Sequence, residues 1–213
     1  MDGDQDVVRE GDQPSDCNLL LEGMVCRYKL LEDGKRQIFS FHIPGDIFDA
    51  QSFLLNRMDH SILTLTTSRI AMISHDTLRR VFEEYPRIAL AVWKDSLIDA
   101  AIFRQWVTNV GRRDALARTA HLLCETYARM ASVGLVRENS VAWPMTQVEL
   151  ADALGISAVH VNRTLQQLRK MGVASIERQR LTIHDWPRLK AVADFDSTYL
   201  HLGERSDDGA GVF

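Results

Sequence analysis

The chain has 213 residues, 46% hydrophobic and 25% charged, with a formal net charge of −4, a composition with room for one large or two small globular domains. No apolar run approaches the ~18 residues a membrane span needs, and the acidic N-terminus carries no signal-peptide h-region. No membrane partner and a cytoplasmic location are therefore expected. The charge is unevenly divided: Arg112 to Lys190 holds 12 Lys/Arg against 7 Asp/Glu, a net of +5, which leaves 13 against 22 elsewhere. A basic part joined to an acidic one is the footprint of a nucleic-acid-binding domain attached to something else.

Residues 16–74 come first. Leu19–Leu21, Val25–Leu30, Ile38–Ile43 and two stretches within Ser61–Ser74 are short runs rich in branched and aromatic residues. Glu22-Gly23, Glu32-Asp33-Gly34-Lys35 and Pro44-Gly45-Asp46 break them at the spacing of an antiparallel sandwich or roll. Thr77–Tyr85 reads as a short helix, Pro86 opens another, and no Pro or Gly interrupts the chain from Ile88 to Val110. Leu90, Trp93, Leu97, Ala100, Arg104 and Val107 recur at three- and four-residue steps, a seam for a partner helix. Ile88, Val92, Ile98 and Ile102 form a second stripe that can pack on the β-domain. Burial of the whole helix within one subunit is the competing reading. A further helix is expected over Arg112–Ala131, packing through Ala115, Thr119, Leu122, Leu123 and Met130.

The densest information lies in residues 146–171. Thr146 and Glu149 have capping-box spacing, Leu150 and Leu154 mark the apolar side of a short helix, and Gly155 tolerates the turn. Ser157 then caps a second helix, with Val161, Leu165 and Leu168 inward and Val159, Asn162, Arg163 and Gln166 outward. A small Ala151 sits where the helices cross. This is the division of labour in a helix–turn–helix, although two helices and a glycine turn also occur in all-α cores. Val173–Ile176, a basic turn Glu177-Arg178-Gln179-Arg180 and Leu181–Ile183 read as a hairpin, a wing with Arg178 and Arg180 at its tip. A solvated turn is the alternative for either arginine. Residues 203–213 lack periodicity and read as a frayed tail.

Three cysteines, Cys17, Cys26 and Cys124, have no cluster-ligating spacing and read as buried thiols, with a redox pair at Cys17 and Cys26 as an alternative. His121, Cys124 and Glu125 share a helix without an evident fourth metal ligand. No cofactor, metal or catalytic residue is implied, and the seven histidines show no nucleophile–base pattern, so an enzyme is not expected.

Leu-Leu-Glu-Gly-Met-Val at 20–25, Glu-Asp-Gly-Lys-Arg-Gln-Ile at 32–38, Ile-Pro-Gly-Asp at 43–46 and Leu-Thr-Ile-His-Asp-Trp at 181–186 occur in that order. With Asn109–Arg113 and His160–Arg163, they resemble the Crp/Fnr family of bacterial regulators over about residues 6–202. The resemblance implies an α+β fold: an N-terminal antiparallel β-roll like a cyclic-nucleotide-binding domain (1–85), a dimerisation helix (86–111), and a winged helix–turn–helix (112–202). It also implies promoter binding as a homodimer and contacts with RNA polymerase. Only four residues precede the segment Gln5–Asp12, where the family has a helix and a strand, so either the start is truncated or the first roll strand is partly missing.

Departures from the family pattern carry expectations of their own. The Arg-Ser pair that holds a cyclic phosphate falls on Met58-Asp59, and the Gly-Glu-Leu cradle reads Gly45-Asp46-Ile47; a carboxylate there repels phosphate, so cyclic AMP is not expected to bind. Val159 stands where many members have Glu and favours a thymine methyl over cytosine N4. Arg163 is the candidate for a bidentate guanine contact, Asn162 for adenine, and His160 for a phosphate or base. The expected DNA-binding set is Ser157, Val159, His160, Asn162, Arg163, Gln166, Arg169, Arg178 and Arg180. The competing function is a small-molecule or redox sensor that acts through protein contacts without DNA; Arg163, Arg169 and Lys170 on the outward face weigh against it.

Overall fold

The computed structural model describes residues 1–202; the expected tail 203–213 lies outside the described residues. Six strands build the N-terminal part: β1 (Asp6–Val8), β2 (Asp16–Glu22), β3 (Val25–Leu30), β4 (Arg36–His42), β5 (Ser61–Thr64) and β6 (Arg69–Ser74). They form a four-stranded antiparallel sheet in the order β1-β5-β3-β4 and a two-stranded sheet β2-β6. A bridge between Leu19 and Ile47 joins β2 to the turn after β4. Val8, Leu20, Val25, Phe48, Met58 and Ile62 fill the inside of this roll. Gly23, with φ of +96°, turns β2 into β3, and a Cβ there would lie 2.3 Å from the Ser68 hydroxyl, so only glycine fits.

Helix α1 (His75–Glu84) is capped by Ser74 and leads into α2 (Pro86–Arg112), which starts with proline at a position where its missing N–H costs nothing. The next helix begins later than the periodicity indicates. Arg112 closes α2, Arg113 is extended, and Asp114 caps α3 (Ala115–Ser132) by accepting from the Ala117 N–H. Thr119, Leu122, Leu123 and Met130 of α3 are buried, while Ala115 is half-buried. In the second stripe of α2 only Ile102 is fully buried; Val92 and Ile98 are half-buried and Ile88 is exposed.

The C-terminal part is β7 (Ser140–Ala142), α4 (Gln147–Leu154), α5 (Ala158–Lys170), β8 (Ala174–Glu177), β9 (Arg180–Ile183) and α6 (Trp186–Ala193). The capping box of Thr146 and Glu149 is formed on both sides, and Gly155 ends α4 in the left-handed region. Strand β7 completes a three-stranded sheet ordered β7-β9-β8. Its three residues are too short to show an alternating pattern, and the sequence reading omits it. One core runs from Cys26, Ile38 and Phe41 of the roll through Ile102 and Trp106 of α2 to Leu150, Val161, Leu168 and Leu181. No helix among the described residues is long and apolar enough to cross a membrane.

Candidate nucleic-acid interface

Helix α5 is divided lengthwise. Val161, Thr164 and Leu168 are buried and Leu165 half-buried, with the Thr164 hydroxyl 3.1 Å from that of Thr119 on α3. On the other side Val159 is 65% exposed, and His160, Arg163, Gln166 and Arg169 are exposed. A β-branched side chain left bare at the start of a well-packed helix is a local departure from the inside-out rule. The Ser157 hydroxyl accepts from the His160 N–H and closes the helix N-terminus, which keeps its O–H available to an outside acceptor.

Arg163 makes no hydrogen bond or ion pair with any described residue, so its guanidinium is unspent. Arg169 differs, because it pairs with Glu177 of β8 at 2.9 Å and ties the end of α5 to the wing. Asn162 is half-buried, with its amide between Gln166 of α5 and Gln147 of α4. Gln147 is absent from the sequence-based set; its position on the capping segment disguised that it faces α5.

At the wing the tip is Arg178-Gln179, with φ of 48° and 57°, a two-residue hairpin between β8 and β9. Such turns favour Asn-Gly, and side chains with a Cβ are strained there, so an arginine at this point is held out at an energetic cost. Arg180 is not at the tip: it is the first residue of β9, opposite Glu177 and Ala142. Arg178 and Arg180 are both exposed.

Arg118 is a positioning group that the sequence reading did not find. Its guanidinium donates to the carbonyls of Leu154, Val110 and Arg113 at 2.6, 2.9 and 3.0 Å, and so caps the ends of α2 and α4 together. The side chains of His121, Cys124 and Glu125 on α3 are engaged within the fold. His121 accepts from Asn109, Cys124 is buried, and Glu125 accepts from Trp106 and Tyr199 at 2.8 and 2.6 Å.

Along α2, Leu90, Trp93, Leu97 and Val107 are 57–73% exposed, Ala100 is half-buried and Arg104 exposed. Four large apolar side chains on one stripe are left exposed among the described residues.

Between the roll and α2 lies a cavity of about 1200 Å³ bordered by Phe39, Phe53, Phe82 and Phe103 and by Arg27, Asp99 and Arg129. Its cations are already engaged. Arg27 pairs with Asp99 at 2.5 Å and donates to the Phe48 carbonyl, and Arg129 pairs with Asp46 at 2.7 Å and donates to the Phe41 carbonyl. Asp46 also lies 3.2 Å from Nδ1 of His42. Although burial opposes it, Asp46 is held down to about 2 by Arg129 and His42, and burial pushes His42 down to about 4. The Gly45-Asp46 amides donate to Leu20 and Ile43 carbonyls, so this turn presents no open cradle. Met58 is 2% exposed in the roll core, and Asp59 pairs with His60 at 2.7 Å. Burial raises all three thiols above their ordinary range, Cys26 and Cys124 to about 12. Cys17 sits beside Ser52 and Asp49, apart from the core that holds Cys26.

The family models that match are the cyclic nucleotide-binding domain, over residues 2–85, and the Crp-like helix-turn-helix domain, over residues 117–192. The nitrogen fixation regulation protein FixK of Bradyrhizobium diazoefficiens is 27% identical over 88% of this chain and 78% of its own. The transcriptional activator protein FnrL of Cereibacter sphaeroides is 24% identical over 98% and 81%. Among solved structures, FixK2 from Bradyrhizobium japonicum shares the fold with a TM-score of 0.79 at 23% identity, covering 89% of this chain and 93% of that one. A β-roll, a long helix and a winged helix–turn–helix with a bare outward face define a DNA-binding transcription regulator. The chain belongs to the Crp/Fnr family.

Proposed function

We propose that the chain binds an inverted-repeat operator as a homodimer, with residues 1–85 as the sensor, 86–111 as the dimerisation helix and 112–202 as the DNA-binding domain. The observation that carries this reading is the outward face of α5, where Arg163 has no partner among the described residues while the opposite face is sealed in the core. In the major groove Arg163 reads guanine O6 and N7, Asn162 reads adenine, Gln166 lies beside it, and Val159 meets a thymine methyl. Ser157 and His160 at the helix start, Arg169 at its end, and Arg178 and Arg180 on the wing meet phosphates. The exposed seam Leu90, Trp93, Leu97, Ala100, Arg104 and Val107 supplies the two-fold contact that a palindromic site requires.

RNA polymerase is the further partner that family membership supports, and the working compartment is the cytoplasm. Cyclic AMP is not the effector: the anchor position is a core methionine followed by a carboxylate, and the arginines bordering the cavity are neutralised internally. Selection of bound sequences from random duplex DNA tests the reading. Enrichment of an inverted repeat with a guanine in each half-site supports it, and recovery of unselected sequence refutes it.

A further inference from the structure

Three side-chain amides line up on the exposed side of the helix–turn–helix. Gln166 Nε2 donates to Asn162 Oδ1 at 3.3 Å, and Asn162 Nδ2 donates to Gln147 Oε1 at 3.4 Å. The row has a direction, donor to acceptor from α5 towards α4. Turning Asn162 over by itself would set its NH₂ against that of Gln166 and its oxygen against that of Gln147, so its amide is oriented by its two neighbours. Lys170 follows Gln166 by four residues on the same exposed side of α5, the spacing of side-chain neighbours on a helix.

Asn162 keeps one N–H and one lone pair unused, and they complement the N7 acceptor and N6 donor of adenine. These two adenine atoms differ in their distance from their own strand. An amide with its oxygen on the Gln166 side therefore fits adenine on one strand, and the reversed amide fits adenine on the other. We infer that Gln147 is a positioning residue for base reading: by accepting from Asn162 it sets the direction of the amide row, and so decides between A·T and T·A at one pair in each half-site. The inference rests on the operator reading above and goes one step further, to a residue outside α5.

The test uses the full chain and four versions of the selected operator, with that pair set to A·T, T·A, G·C or C·G in both half-sites. The pair is the one at which Asn162→Ala flattens discrimination. Gln147 is exposed at the first turn of α4 beside an intact capping box, so its variants should keep the wild-type circular dichroism and melting curve. Gln147→Glu retains an acceptor and should keep the wild-type preference. Gln147→Lys offers only donors and should reverse or erase it, a change of about tenfold or more in the A·T to T·A affinity ratio, with the guanine preference under Arg163 unchanged. The ratio cancels the general gain from an added positive charge. A Gln147→Lys protein with the wild-type ratio, or an Asn162→Ala protein with undiminished preference at every pair, overturns the inference and leaves the operator reading standing. Wild-type protein that selects no duplex at all overturns the operator reading itself.

Discussion

His121 on α3 makes the stability of this protein depend on pH in a calculable way. Arg113 donates to Asn109 Oδ1 at 3.2 Å, which turns the Asn109 NH₂ towards Nδ1 of His121 at 3.0 Å. Nδ1 is thereby an acceptor, the ring is neutral with its proton on Nε2, and Phe195 and Tyr199 pack around it. Burial first, and the Arg113 charge second, lower its pKa from 6.5 to about 4. The unfolded chain takes up a proton at higher pH than the folded one, so stability rises with pH through this window. The contribution is full above about pH 6.5 and falls away towards pH 4, by roughly 3 kcal/mol in total and about 2.5 kcal/mol by pH 4.5. His42 is depressed in the same direction, so the variant must isolate one ring. His121→Leu leaves the Asn109 NH₂ unpaired, a cost of about 1–3 kcal/mol that is the same at both pH values and cancels. Urea unfolding at about pH 7.5 and about pH 4.5 is the assay. The stability lost on acidification should be smaller in His121→Leu than in the wild type by roughly 2.5 kcal/mol. An equal loss in both proteins would show that His121 is not held neutral, and the tautomer argument would fail.

Arg163→Ala should cost roughly 1–3 kcal/mol per half-site and flatten preference at one guanine, whereas Arg178→Ala should weaken all duplexes alike and lower the salt slope by about one. Uniform loss with Arg163→Ala would make it a phosphate contact and pass base reading to Asn162 or His160. Leu97→Asp places a carboxylate in the exposed α2 seam and should leave the protein monomeric at micromolar concentration by sedimentation equilibrium; an undisturbed dimer would move the interface elsewhere. Calorimetry with cyclic AMP should show no binding, and a micromolar dissociation constant would contradict the reading of Met58 and Asp59.

The helix–turn–helix was legible because its signals are local: Thr146 with Glu149, Gly155, Ser157 and a three-to-four apolar step lie within one short segment. The roll strands were legible from branched runs between glycine turns for the same reason. Contacts between distant residues were not. Arg27 finds Asp99 72 residues away, and Arg129 finds Asp46 83 residues away. Each looks like an ordinary surface charge in a linear reading. The break between α2 and α3 was misplaced because Asp114, a good cap, follows a stretch that continues the helical pattern. Arg180 was misplaced because nothing in Glu177-Arg178-Gln179-Arg180 marks a two-residue turn when neither central residue is Gly or Asn. Gln147 was passed over because the capping residues around it explain the helix start without it.

Binding of an inverted repeat by a homodimer is tested by the stoichiometry and footprint of the purified chain on a selected operator. Two chains per duplex and two protected half-sites with centres about 34 Å, one helical turn, apart are expected. One chain per duplex, protecting a single half-site at saturating protein, would contradict it.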